Sequence, residues 1–227
     1  MSARALVLFD CDGTLVDSQH MIIAAMDEAF LAHGLTPPDA AAVRRIVGLS
    51  LAPAVALLLP PDRAGMELVH DVVEAYKRAF RRMRMDGGEE PLYPGIEAVI
   101  PALAGAGYVL GVATGKSTRG LKAVLKRHGL TGYFETLQTA DGHPGKPHPS
   151  MVHEAMAETG AVAETTIVIG DTTFDMEMAR AARTRALGVS WGYHPPPELL
   201  LAGALSVLDQ APDITGTVSG LLTVERP

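Results

Sequence analysis

The chain has 227 residues and a formal net charge of −7, with 48% hydrophobic and 20% charged residues. It lacks the basic surplus of a nucleic-acid-binding protein, although a local positive field can still attract an anionic substrate. Its single cysteine, Cys11, excludes an internal disulfide and a CxxC metal site. No apolar run reaches the roughly 18 residues of a membrane span, and the first run is too short for a signal peptide. We therefore expect a cytoplasmic protein that binds neither nucleic acid nor a membrane.

Short apolar runs predict the strands of a sheet. The strongest runs, each followed at once by polar residues, are 4–9, 108–113 and 166–169. Weaker strands are predicted at 133–139, 184–189 and 205–208. Helical patterns separate these strands at 95–106, 117–128 and 148–159. Because the strong runs are apolar on both faces and alternate with helices, we predict an α/β fold with a doubly wound (Rossmann-like) parallel sheet.

Residues 17–90 differ from the rest of the chain, because their pattern is helical and contains no convincing strand. Beyond the first helical stretch, which begins near residue 18, further stretches are predicted at 38–47, 50–59 and 62–85. A connection of this length is too long for a single crossover helix. We therefore predict an inserted all-helical cap domain over 17–90 and a catalytic core formed by 1–16 and 91–227.

Side chains that can bind metal and phosphate follow the strongest strands. Asp10 and Asp12 come after the first strand, Thr114 after the second and Asp171 after the third. Ligands of open α/β sheets bind beyond the carboxyl ends of the strands, so these side chains should meet at one edge. Lys146, in a Gly-Lys-Pro loop that leads into a helix, is the remaining basic candidate.

Four segments resemble, in order, the four motifs of the haloacid dehalogenase superfamily. They are DCDGTLVDS at 10–18, VATGKS at 112–117, GKPHP at 145–149 and GDTTFDM at 170–176. The resemblance covers nearly the whole chain, because the helical insert falls where one large subgroup of the family carries its cap. Two further segments, RRIVGLS at 44–50 and GVSWGYH at 188–194, are similar to phosphoglycolate phosphatase-like members.

The resemblance implies a phosphatase whose nucleophile is Asp10 and whose cofactor is Mg²⁺. A carboxylate nucleophile divides a very slow hydrolysis into two displacements through an aspartyl-phosphate. Mg²⁺ is a hard cation that prefers oxygen ligands. The ligands implied by the family are the carboxylates of Asp10 and Asp171 and the backbone carbonyl of Asp12.

The remaining site residues implied by the family act on the phosphate and on protons. The hydroxyl of Thr114, the backbone N–H of Gly115 and the ammonium of Lys146 should hold the phosphoryl oxygens. Asp12 is implied as the general acid that protonates the leaving alkoxide and then activates water. Asp175, one helical turn after Asp171, is implied to steady the lysine and the metal shell.

One residue departs from the family pattern, and two others allow a second interpretation. Gly115 stands where the family often has Asn, so a side-chain contact is missing there. Asp175 could simply cap the helix that follows. Lys116 is expected to be a surface lysine at a helix start, since the spacing from Gly111 to Gly115 is one residue too short for a P-loop.

The first motif also separates the activities of the family. Dehalogenation releases a halide that needs no proton, so the presence of Asp12 disfavours it. Phosphonatase chemistry needs a cap lysine, and the predicted cap contains only Lys77, deep in a long helix. We predict hydrolysis of a small phosphorylated metabolite, with phosphoglycolate as the named example. Phosphoglucomutase-type phosphoryl transfer and a catalytically silent binding module on the same fold stay open, and the sequence carries no signal for an oligomeric state.

Overall fold

The structure, a computed structural model, describes residues 4–222. Its strands are β1 (Arg4–Phe9), β2 (Val109–Thr114), β3 (Phe134–Thr139), β4 (Ala161–Gly170), β5 (Arg185–Val189) and β6 (Val207–Leu208). They form one sheet in the order β3-β2-β1-β4-β5-β6, and every neighbouring pair is parallel. The strand order reverses between β1 and β4, as in a doubly wound sheet. The predicted fold class is therefore confirmed.

Residues 17–90, which lie between β1 and β2 along the chain, contain four helices. They are α1 (Gln19–Ala32), α2 (Ala40–Ile46), α3 (Leu51–Leu58) and α4 (Met66–Met85). These helices bury a hydrophobic cluster of their own, which includes Met26, Phe30 and Val72. The predicted helical insert is present, and we retain 17–90 as the proposed boundaries of a cap domain. We call these four helices and their connections the insert.

The remaining helices cover the two faces of the sheet. They are α5 (Ile96–Gly105), α6 (Thr118–Arg127), α7 (Ser150–Thr159), α8 (Thr173–Ala181), α9 (Pro196–Ala202) and α10 (Asp213–Leu221). Successive residues of β1 point to opposite faces, so Val7 and Phe9 belong to one buried cluster whereas Leu6 and Leu8 belong to the other. Both faces of the central strands are thus buried, which fixes the positions of the strand ends. Within residues 4–222, no helix combines the length and the apolar character needed to cross a membrane.

Most predicted elements agree with the structure, and the differences have local causes. Strand β4 begins at Ala161, well before the predicted 166–169, because Ala161 pairs with Arg4 ahead of a register shift and the first half of the strand is partly exposed. Strand β6 has two residues instead of the predicted four. Helices α9 and α10 were not predicted, since they are short and rich in Pro, Gly or Thr.

Candidate active site

The candidate site lies at the carboxyl ends of β1, β2 and β4. Asp10 follows β1 directly, and its backbone N–H donates to the carbonyl oxygen of Ile169 in β4 over 2.8 Å. Asp171 follows β4, and Thr114 is the last residue of β2. Because β1 and β4 meet where the strand order reverses, the crevice expected at such a point is the place where these residues gather.

Lys146 lies in the middle of a buried charge cluster. Its ammonium is 2.8 Å from a carboxylate oxygen of Asp10 and 2.6 Å from one of Asp175, and its side chain is 0% exposed. Burial disfavours the charged ammonium, yet the two carboxylates outweigh burial and hold the pKa of Lys146 above its ordinary value. The lysine is therefore a fixed positive charge beside Asp10, the predicted nucleophile.

Asp10 is 2% exposed, and neither of its carboxylate oxygens accepts a hydrogen bond from the described residues. The contact with Lys146 is an ion pair without hydrogen-bond geometry. Burial raises the pKa of Asp10 to about 7, against the opposing effect of Lys146 and with a further rise from Asp175. A buried carboxylate with free oxygens is costly unless something binds it, which suits a nucleophile and a ligand of a hard cation.

Asp171 is completely buried and is oriented by two donors. Its oxygens accept hydrogen bonds from the Thr14 hydroxyl over 2.7 Å and from the Tyr193 backbone N–H over 2.9 Å. Burial, with the nearby carboxylates of the cluster, raises its pKa well above the ordinary value. Two glycines leave room for this carboxylate, since a Cβ on Gly13 or Gly192 would lie only 2.2 Å from its side-chain atoms.

The carboxylate of Asp175 contacts both the start of α8 and Lys146. One oxygen accepts from the Thr172 backbone N–H over 3.1 Å and from the Thr172 hydroxyl over 2.6 Å, which completes a capping box at the start of α8. The other oxygen accepts from Lys146. Oxygens of Asp10, Asp171 and Asp175 lie within 4.8 Å of one another. Asp175 already binds the Lys146 cation with one oxygen and two donors with the other, whereas each oxygen of Asp171 accepts from one neutral donor, so Asp10 and Asp171 are the better candidates for a cation.

The prediction that Lys116 is a surface lysine is wrong. Its side chain is only 9% exposed, and its ammonium is 2.9 Å from a carboxylate oxygen of Asp12 and 2.9 Å from one of Glu90. The same oxygen of Asp12 also accepts a hydrogen bond from the hydroxyl of Ser18. The two contacts of Lys116 join residues that are far apart in the sequence, so local patterns gave no sign of them.

Thr114 and Gly115 lie beside the insert. The buried hydroxyl of Thr114 accepts from the backbone N–H of Lys116 over 3.2 Å. A Cβ on Gly115 would lie 2.8 Å from the carbonyl oxygen of Leu49 and 3.0 Å from that of Gly48. The insert backbone therefore occupies the space of a side chain, which explains why this chain has Gly where the family often has Asn.

A cavity of about 660 Å³ separates the strand ends from the insert. Asp10, Asp12, Thr114 and Gly115 line it from the sheet. The basic side chains that line it are Lys77, Arg81, Arg84, Lys116 and Arg119. The site residues that the sequence did not single out are Thr14, Ser18 and Glu90. Only the first two had a cue, since they lie in the same segment as Asp10.

The fold and this arrangement of carboxylates and lysine define a class of hydrolase with its site at the sheet switch point, beneath a helical insert. The family model described as "Haloacid dehalogenase-like hydrolase" matches residues 7–189, and the chain belongs to this family. The prediction of an enzyme of this hydrolase family is thereby confirmed.

Relatives and solved structures cover nearly the whole chain. The protein named "Probable phosphatase IndB" of Dickeya dadantii (strain 3937) is 37% identical over 223 residues, which are 96% of this chain and 95% of that protein. The phosphoglycolate phosphatase of Nitrosococcus oceani is 29% identical and covers 94% of this chain and 96% of its own. A predicted phosphatase from Clostridium acetobutylicum has a crystal structure that is 26% identical, with a TM-score of 0.86 over 97% of this chain and 100% of that chain.

Proposed function

We propose that this protein is a Mg²⁺-dependent phosphatase that hydrolyses a small phosphorylated metabolite through an aspartyl-phosphate on Asp10. The observation that carries the proposal is the state of the Asp10 carboxylate, which is buried, paired with Lys146 and free of hydrogen bonds. The relatives named phosphatase and phosphoglycolate phosphatase support the same reaction class.

The donor set fits a hard divalent cation. Asp10 and Asp171 are buried carboxylates with oxygens near each other, and those of Asp10 have no competing donor. We assign Asp10, Asp171 and the backbone carbonyl of Asp12 as the residues that would hold Mg²⁺. A bound cation would supply positive charge that offsets the repulsion between the carboxylate and the phosphate.

In the first step a carboxylate oxygen of Asp10 forms a bond to phosphorus, and the bond from phosphorus to the ester oxygen breaks. The leaving oxygen takes a proton from Asp12 and departs as an alcohol. Lys146, which Asp175 holds in place, provides a fixed charge to the phosphoryl oxygens. The backbone N–H of Gly115 and the hydroxyl of Thr114 hold the same oxygens from the β2 side.

In the second step a water molecule loses its proton to Asp12 and attacks phosphorus. The bond between phosphorus and the Asp10 oxygen breaks, inorganic phosphate leaves, and both carboxyl groups return to their starting states. The insert covers the cavity during both steps, since its Gly48 and Leu49 carbonyls lie against Gly115. Such cover limits the access of bulk water to the intermediate.

The cavity also favours a second negative group on the substrate. Arg81 and Arg119 line it, and neither forms an ion pair with any residue in 4–222. Arginine forms strong, charge-assisted hydrogen bonds to carboxylates. A short phosphate ester with a carboxylate at its other end, such as phosphoglycolate, would place one anion at each side of the cavity.

The test is phosphate release from a panel that contains phosphoglycolate and several hexose phosphates, with Mg²⁺ and with EDTA. We expect turnover of phosphoglycolate that EDTA abolishes. Interconversion of hexose phosphates without phosphate release would instead support a mutase. Binding of Mg²⁺ without turnover of any ester would support a silent binding module.

A further inference from the structure

Lys116 connects the candidate general acid with the insert. Its ammonium lies between Oδ1 of Asp12 and Oε1 of Glu90, at 2.9 Å from each. Burial disfavours its charge, yet Asp12 and Glu90 raise its pKa above the ordinary value. The lysine therefore stays charged and ties the two carboxylates together.

Glu90 is itself held firmly, because it is 2% exposed and its second oxygen is occupied. Oε2 accepts from Arg84, at the end of α4, over 2.9 Å from Nε and 2.6 Å from Nη2. The ring of Phe80, also on α4, has its centroid 5.2 Å from both the Arg84 guanidinium and the Lys116 ammonium. Glu90 and Phe80 thus contact the lysine directly, and Arg84 contacts both of them.

The backbone around Glu90 is fastened to the core. Its carbonyl oxygen is 2.8 Å from Nε2 of His128, and the carbonyl of Gly88 accepts from Arg127 over 2.8 Å. His128 and Arg127 belong to the C-terminal end of α6. The segment that returns from the insert therefore holds Glu90 at one place relative to the sheet.

Asp12 receives this support on one oxygen only. Oδ1 is contacted by Lys116 and by the Ser18 hydroxyl, whereas Oδ2 accepts no hydrogen bond from the residues described in the structure. An unsupported carboxylate rotates, and a general acid works only within hydrogen-bond reach of the leaving oxygen. Holding Oδ1 leaves Oδ2 as the oxygen that exchanges a proton with the substrate.

We propose that Lys116, supported by Glu90, is a positioning residue for Asp12 in general acid catalysis. The inference rests on the proposed phosphatase function and adds two residues to it. A purely structural pair would affect all substrates alike. A positioning pair affects most those substrates whose leaving group needs a proton.

The test compares kcat/KM for phosphoglycolate with kcat/KM for p-nitrophenyl phosphate, whose leaving group departs without a proton. The constant kcat/KM reports only the steps up to the first irreversible one, so it is not affected by the later hydrolysis of the aspartyl-phosphate. The variants are Lys116→Met and Glu90→Gln, with Lys116→Arg as the conservative change. Glu89→Gln is the matched control, because Glu89 is an exposed neighbour outside the site. Asp12→Asn gives the pattern for loss of the acid itself.

We expect Lys116→Met to lower kcat/KM roughly 10²-fold for phosphoglycolate and less than about 3-fold for p-nitrophenyl phosphate, as for a lost proton transfer. Glu90→Gln should give the same pattern at about 10-fold, Lys116→Arg should restore part of the rate, and Glu89→Gln should match the wild type. If Lys116→Met does not fold, Glu90→Gln and Lys116→Arg decide the question.

Equal losses on both substrates, or no loss on either, would overturn the positioning role and leave the phosphatase proposal standing. A wild-type protein that hydrolyses neither ester with Mg²⁺ would instead overturn the proposed function. The two failures are therefore distinguishable in one set of measurements.

Discussion

The two walls of the cavity are built in opposite ways. On the sheet side, Asp10, Lys146 and Asp175 are at most 3% exposed, and Lys146 is held by both carboxylates. On the insert side, Arg81 is exposed and makes no ion pair with residues 4–222. The groups proposed for phosphoryl transfer are therefore preorganised, whereas the arginine proposed to bind the rest of the substrate can change its side-chain conformation.

This difference leads to a simple expectation for mutations. A change to Asp10, Lys146 or Asp175 should affect the reaction itself, whatever the substrate. A change to Arg81 should alter the choice between substrates and leave the chemical step intact. The following predictions test this division, beginning with the largest expected effect.

Asp10→Asn should lower phosphate release roughly 10⁴-fold or more on every substrate, because an amide cannot serve as the nucleophile. The measurement is Mg²⁺-dependent phosphate release under saturating substrate, with a thermal melt to check folding. The variant keeps the shape of the side chain. Turnover near the wild-type rate in a clean preparation would remove Asp10 from the reaction.

Gly192→Ala should lower the affinity for Mg²⁺ by about 10–100-fold, as changes beside metal ligands commonly do. The new Cβ would lie 2.2 Å from an atom of Asp171, so the carboxylate must move. Titration of activity with Mg²⁺ gives the apparent affinity. Gly142→Ala is the matched control, since nothing lies within 4 Å of a Cβ there. An unchanged Mg²⁺ titration in Gly192→Ala would argue against Asp171 as a ligand.

Arg81→Ala should raise KM for phosphoglycolate about 10-fold, which is the cost of one charged hydrogen bond. It should leave 2-hydroxyethyl phosphate, which lacks the carboxylate, nearly unchanged. Steady-state kinetics on both esters supply the comparison. Arg78→Ala is the control on the same helix, because Arg78 does not line the cavity. Equal effects on both esters would show that the insert side does not select the carboxylate.

Mg²⁺ should raise the melting temperature by a few degrees more at about pH 8 than at about pH 5.5. Burial raises the pKa of Asp10 from 3.8 to about 7, so the folded metal-free protein keeps a proton that the unfolded chain releases. Its stability therefore falls as the pH rises through this range, and Mg²⁺ binding to the ionised carboxylate reverses the loss. Thermal melts with Mg²⁺ or EDTA at both pH values test this. The same Mg²⁺ effect at both pH values would contradict it.

The sheet and the carboxylates at its edge could be predicted because both depend on local patterns. An apolar run followed at once by Asp10 or Asp171 identifies a buried strand and its end, and parallel strands bring such ends together. The two contacts of Asp175, with the start of α8 and with Lys146, could also be predicted, since the capping pattern and the family pattern coincide at that residue.

The contacts of Lys116 could not be predicted, because they depend on how the insert packs on the core. Its partner Glu90 is 26 residues away along the chain, in a segment with no pattern of its own. The sequence also could not explain why position 115 is Gly, since the carbonyls of Gly48 and Leu49 that exclude a side chain there belong to the insert. Residues at the boundary between two folding units are thus the ones that sequence patterns explain least.

The central claim is a covalent phosphoryl group on Asp10, and trapping it is the most direct test. Asp12→Asn with p-nitrophenyl phosphate and Mg²⁺ should form the intermediate, because this leaving group needs no acid, and should hydrolyse it slowly for lack of a base. We predict a burst of about one p-nitrophenolate per active site. After an acid quench, peptide mass spectrometry should find the phosphoryl group on Asp10. Steady release of p-nitrophenolate without a burst and without phosphate on Asp10 would contradict the account.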